Sequence, residues 1–122
     1  MTVRVLAIDD SPTMRNLIAA ALAPAGFDVH FAQDGIEGLE RLAQADPDVV
    51  ITDINMPRMD GFGVIEGVRK SSDHADVPIL VLTTESSADL KARARGAGAT
   101  GWIVKPFDDA GLIATIGRVL GR

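Results

Sequence analysis

Among its 122 residues the chain has no cysteine and no tyrosine, and aromatic residues make up only 4% of it. Without thiols there can be no disulfide staples, thiolate metal sites or cysteine nucleophiles. Any metal must be held by oxygen ligands or by the two histidines, His30 and His74, which are isolated and share no metal-ligand spacing. No stretch approaches the roughly 20 apolar residues of a membrane span, and the N-terminus lacks the basic-then-apolar pattern of a signal peptide. A cytoplasmic protein with no membrane association is expected. Lys and Arg form no long block and the net charge is -5, so no attraction to nucleic acid is expected; DNA binding would need a further domain.

What is present is a balanced globular composition, 47% hydrophobic and 24% charged, sized for one domain spanning residues 1–122. Short apolar runs rich in Val, Ile and Leu recur at Val3 to Ile8, Val29 to Ala32, Val49 to Thr52, Ile79 to Leu82 and Trp102 to Val104. Segments of helical spacing separate them, so the chain reads as β-α five times over. Runs this uniformly apolar suit a parallel sheet covered by helices on both faces, an α/β fold.

Helix boundaries carry their own signals. Ser11 can cap a first helix with Pro12 in its opening turn, and Gly26 follows that helix. Asp34 and Glu37 have the spacing of a capping box. Asp60, Ser86 or Ser87, and Asp108 are candidate caps for the remaining three helices. The stretch "ARARGAGATG" reads as the end of the fourth helix and its turn, not as a linker.

Polar residues of catalytic type stand where the strands end: Asp9 and Asp10 after the first, Asp53 at the third, Thr83 and Thr84 at the fourth, Lys105 at the fifth. In an open parallel sheet those ends converge on one crevice, where ligands bind. Carboxylates gathered there repel one another unless a cation sits among them. Hard oxygen donors without sulfur or imidazole point to Mg2+.

The motifs "DDS", "DINMPRMDG", "TTE" and "KPF", in this order at successive strand ends, resemble the receiver domain of bacterial two-component response regulators. The resemblance covers essentially the whole chain. It implies a five-stranded parallel sheet in the order 2-1-3-4-5 flanked by five helices, the flavodoxin-like arrangement. It also implies a phosphoryl-accepting switch that catalyses its own phosphorylation and dephosphorylation without being an enzyme in the turnover sense. By that resemblance Asp53 is the phosphoacceptor. Asp10, Asp53 and the backbone carbonyl of Asn55 bind Mg2+ directly, with Asp9 acting partly through water. Lys105, aimed by a cis bond to Pro106, reaches the phosphoryl oxygens and pairs with Asp53 beforehand, and the Thr83 hydroxyl bonds the same group. Trp102 holds the position of the switch aromatic, where Tyr or Phe is usual; a core aromatic is the alternative reading. Asn55 and Glu85 border the path of the hydrolytic water and control dephosphorylation. Helix four, with Lys91, Arg93 and Arg95, borders the output surface or presents a solvated face. Met56 and Met59 read as loop packing.

With no output domain evident, the chain resembles the single-domain chemotaxis regulators of this family. That implies a monomer phosphorylated by a chemotaxis histidine kinase and acting on the flagellar motor switch. A phosphate sink, or a receiver in a non-chemotaxis phosphorelay, is the alternative. Two other classes fit the residues less well. Aspartate-nucleophile phosphatases place a second aspartate two residues after the nucleophile on strand one, where this chain has an adjacent pair followed by Ser11. A flavin module would want a Ser/Thr/Gly-rich loop in place of "DDSPTMRN".

Overall fold

The structure, a computed structural model, describes residues 2–121. Its elements alternate throughout: β1 Arg4–Ile8, α1 Pro12–Leu22, β2 Asp28–Ala32, α2 Gly35–Ala45, β3 Val49–Thr52, α3 Gly61–Arg69, β4 Ile79–Thr83, α4 Ala88–Ala97, β5 Gly101–Val104 and α5 Asp109–Val119. All strand pairings are parallel and the order is β2-β1-β3-β4-β5. The five β-α units and their order agree with the sequence reading, and strand limits shift by one residue at most.

Side chains alternate across each strand, so one sheet feeds two cores. Leu6, Ile8, Val50 and Val81 join Leu42 of α2, Phe62, Ile65 and Val68 of α3 and Ala94 of α4 on one face. Val5, Ala7, Ile51, Leu80 and Leu82 meet Ile18 and Leu22 of α1 and Leu112 and Ile116 of α5 on the other. Truncating any one of these large buried side chains to Ala costs about 2–5 kcal/mol. Burial on both faces holds for β3 and β4, and for β1 beyond Arg4. The edge strands differ: β2 exposes Asp28 and His30, and β5 is only partly covered. An edge strand has a neighbour on one side alone, and less helix covers it.

The expected caps form. Ser11, Asp34, Asp60, Ser87 and Asp108 each accept a backbone N–H of the first helical turn, satisfying donors that the helix itself cannot. Of the two serine candidates it is Ser87 that caps α4. Gly98, at φ 115, closes that helix in the left-handed region, so "ARARGAGATG" is a helix end and turn. The Asp34 carboxylate accepts the Glu37 amide as in the expected capping box, but Glu37 reaches back one residue further, to the Gln33 amide and not to that of the cap itself. At the end of α3 the Arg69 guanidinium donates to the carbonyls of Ala75, Val77 and Gly98.

Candidate functional site

Parallel pairing brings the C-terminal ends of four strands to one edge. Ile8 is in register with Thr52, Thr52 with Val81 and Thr83 with Val104, so the residues that follow each strand meet. The ladder continues one step further: the Asp53 amide donates to the Ile8 carbonyl at 3.0 Å and the Lys105 amide to the Thr83 carbonyl at 2.7 Å. Asp9 is held likewise, its amide donating to the Ala32 carbonyl at 3.1 Å, so backbone hydrogen bonds place all three residues independently of their side-chain contacts.

The three carboxylates occupy different environments. Asp9 is buried; one oxygen accepts the Ser11 amide at 2.9 Å and the other the Lys105 ammonium at 2.9 Å. Its own carbonyl accepts from the Arg15 guanidinium at 2.7 Å. Asp53 is half-buried, with one oxygen on the Ile54 amide at 2.7 Å and the other on Lys105 at 2.9 Å. Asp10 is exposed, and among the described residues its carboxylate takes part in no hydrogen bond or ion pair with another side chain. Each of the three offers a carboxylate oxygen, and these oxygens lie within 4.8 Å of one another. Such a cluster could hold a metal ion. Its donors are all hard oxygens, the set that suits a divalent cation such as Mg2+ or Ca2+.

Lys105 bridges Asp9 and Asp53 rather than pairing with Asp53 alone. Burial by itself would lower its pKa, but hydrogen bonds to the two carboxylates outweigh that penalty and the net shift is upward. The side chain is therefore an ammonium at neutral pH, a fixed positive charge beside Asp53. The Lys105–Pro106 peptide bond is cis, as the resemblance implied.

Thr83 is buried at the end of β4, and its hydroxyl oxygen accepts the Glu85 amide at 3.4 Å. Asn55 and Glu85 come from loops 30 positions apart, yet the Asn55 amide donates to the Glu85 carboxylate at 3.2 Å. Trp102 packs against the α2–α3 side of the core, and its indole N–H donates to the Glu85 carbonyl at 3.0 Å. Glu85 thus touches both Asn55 and Trp102, a junction absent from the sequence reading.

Two further residues escaped that reading. Gly61 opens α3 so close to Asp53 that a Cβ there would collide with the Asp53 carbonyl oxygen; the "DG" pair was the available signal. Arg15, partly buried on α1, reaches the Asp9 carbonyl, and nothing in its sequence context marks it. His30 and His74 stay outside the cluster. His30 faces Asp28 on the edge strand, and His74 bonds Asp46 at the opposite, N-terminal edge of the sheet. On α4, Arg93 lies 3.8 Å over the Phe62 ring, so part of that helix's charge is used in packing.

Comparison with known proteins points the same way. A family model described as the response regulator receiver domain matches residues 5–117. Among solved structures, the chemotaxis protein CheY4 of Vibrio cholerae is 44% identical, with a TM-score of 0.93, covering 98% of this chain and 99% of that one. The response regulator domain of Thermotoga maritima CheB is 26% identical with a TM-score of 0.88, covering 100% and 98%. Among curated proteins, the DNA-binding dual master transcriptional regulator RpaA of Synechocystis sp. is 36% identical over 98% of this chain and 49% of its own length. The response regulator MprA of Mycobacterium leprae is 39% identical over 98% and 51%. The chain spans about half the length of the curated relatives it matches.

Proposed function

We propose that this chain, which belongs to the response regulator receiver domain family, is a Mg2+-dependent switch that accepts a phosphoryl group on Asp53. The observation that carries the reading is the bridge of Lys105 between Asp9 and Asp53 at the rim of a three-carboxylate cluster. A carboxylate nucleophile needs a free lone pair, a cation to offset the charge of the incoming group and a fixed orientation. Asp53 has the last two from Lys105 and from the Ile54 amide.

In the proposed reaction an oxygen of Asp53 attacks the phosphorus of a phosphohistidine in line, and the P–N bond breaks with its electron pair staying on the ring nitrogen, so that an imidazole already protonated on its other nitrogen leaves as the neutral ring. Asp10, with both oxygens uncommitted, Asp53 and the Asn55 carbonyl would hold Mg2+, which supplies neutralising charge to the transferring group. Asp9 would contribute less directly, because both its oxygens already accept protein donors. Lys105 would follow the phosphoryl oxygens as a compact point charge. The Thr83 hydroxyl would turn to them, drawing the Glu85 segment with it. Trp102, bonded to the Glu85 carbonyl, would report that motion on the α4-β5-α5 surface as a few-kcal/mol shift between two states.

For the output, we propose a chemotaxis histidine kinase upstream and the flagellar motor switch downstream, with the chain acting as a monomer. The likeness to CheY4 over the full length of both chains supports this. The second reading, a receiver serving a different output or a phosphate sink, is favoured by a relative named as a DNA-binding transcriptional regulator. Labelling with a small phosphodonor, with and without Mg2+, tests the chemistry; no Mg2+-dependent label on the wild-type chain would sink it. Binding of the phosphorylated chain to motor-switch proteins decides between the two outputs.

A further inference from the structure

The loop between β3 and α3, residues 53–60, carries the proposed acceptor and the proposed carbonyl ligand of Asn55. A side chain can be aimed by its rotamer, but a backbone carbonyl points where the loop points. The ends of this loop are tied by the Asp53 amide on Ile8 and the Gly61 amide on Ile54 at 2.8 Å. Its middle is tied somewhere else, to the N-terminus of α2.

Two neighbouring residues make that attachment. The Arg58 guanidinium donates from Nε to one oxygen of Asp34 at 2.9 Å and from Nη2 to the other at 3.0 Å, the fork-to-fork geometry that fixes orientation as well as distance. Asp34 is also the α2 cap, accepting the Glu37 amide at 2.9 Å. The hydrogen bonds from Arg58 and from that amide hold the Asp34 carboxyl below the usual range. Arg58 itself sits at φ 67, a conformation that costs a residue with a side chain and persists where contacts over-determine it. Next to it, Met59 fills a notch between two helices. A Cβ on Gly35 of α2 would lie 2.8 Å from Met59 Cγ, and one on Gly63 of α3 would lie 2.6 Å from the same atom.

We propose that Arg58 and Met59 form a two-point clamp on the N-terminus of α2 that aims the acceptor-loop backbone, making Arg58 and Asp34 positioning residues for cation binding beside Asp53. The proposal rests on the metal reading above and goes beyond it in placing control of the site on a helix that contributes no ligand.

Charge alone and clamping give opposite signs for one variant. Removing the positive Arg58 would tighten binding of a cation if only its field mattered, whereas losing the clamp weakens it. Asp34→Asn keeps a good capping side chain and removes the charged half of the fork. Arg58→Gly relieves the positive φ while removing the other half. In the full chain, with Mg2+ titrated against Trp102 fluorescence at fixed ionic strength, both variants should raise the Mg2+ Kd by about two- to fivefold. The double variant should be no weaker than the worse single one. Arg58→Gly binding Mg2+ as tightly as wild type, or more tightly, overturns the clamp. Amide hydrogen exchange without Mg2+ provides the separate readout: Ile54 and Gly61 should exchange faster in both variants. Unchanged exchange at those amides overturns the clamp even where Mg2+ binding is weakened. A wild-type chain that binds no Mg2+ overturns the metal reading and the proposed consequence for it, while exchange still decides whether the loop is clamped.

Discussion

Lys105 and Asp53 are separated by 52 positions in the chain, yet the ammonium lies 2.9 Å from the carboxylate, with Asp9 at the same distance on its other side. One cation therefore serves two carboxylates supplied by different strands. Any second cation entering the cluster has to share those oxygens or use those of Asp10.

Asp53→Ala should abolish labelling by a small phosphodonor in the presence of Mg2+ while the chain remains folded. Lys105 keeps Asp9 as a partner in that variant, so no buried charge is stranded. Full labelling of Asp53→Ala, read by intact-protein mass spectrometry, would place the acceptor elsewhere.

Mg2+ should stabilise the folded chain, because the carboxylate cluster is assembled only by folding. At ten times Kd the linkage gain is about 1.4 kcal/mol, or roughly 5 °C in Tm for a domain of this size. The cluster variant Asp10→Asn should lose most of that gain. A wild-type Tm indifferent to saturating Mg2+ would count against the site.

Lys105 gives stability a dependence on alkaline pH. Its pKa is raised in the folded state despite the opposing effect of burial, by hydrogen bonds to Asp9 and Asp53. The folded chain therefore holds that proton more tightly than the unfolded one. The contribution is complete below the ordinary lysine value of 10.5 and is lost as pH rises through the higher folded value. Urea denaturation of wild type and Lys105→Met should show a gap between them that is constant from pH 7 to 9 and narrows above pH 10.5. A gap that stays constant through that range would remove Lys105 as the source.

Asn55 and Glu85, bonded to each other at 3.2 Å, should set the lifetime of the phosphorylated state. Water has to approach phosphorus opposite the bond to Asp53, and polar side chains can orient it there. Replacing them by Asn55→Met and Glu85→Tyr should slow decay after donor removal by about tenfold or more, roughly 1.4 kcal/mol on the barrier. Equal decay in both proteins would show that the pair does not govern the clock.

Trp102 is the single tryptophan of the chain, so its emission has one source. Its indole donates to the Glu85 carbonyl, and the Glu85 carboxylate accepts from Asn55. Emission should change when Mg2+ binds or Asp53 is phosphorylated, and Glu85→Ala should reduce the Mg2+ response. An emission spectrum unaltered by both would uncouple the indole from the site.

Much of the architecture was legible in the sequence because it is encoded over short distances. Apolar runs of strand length, helical spacing between them, and a Ser or Asp at the start of each helix are local signals, and the chain obeys them at all five units. Asp9, Asp10, Asp53, Thr83 and Lys105 could be assigned to one edge because every strand in a parallel sheet ends on the same side. That β2 and β5 are the edges followed only from the strand order the resemblance implied, since an apolar run does not itself state how many neighbours it will have.

The sequence by itself determined which strand-end residues share one edge of the sheet; the tertiary structure alone decided which of them touch. That Lys105 takes Asp9 as well as Asp53, that Glu85 joins Asn55 to Trp102, and that Arg58 forks onto Asp34 depend on strand register and loop path over separations of 17 to 96 positions. Hydrogen bonds and ion pairs act over about 3 Å, a tolerance far finer than any residue pattern encodes. Only the packed backbone, held to that tolerance by two close-packed cores and by glycines such as Gly61 where chains nearly collide, selects one partner among the several that composition allows.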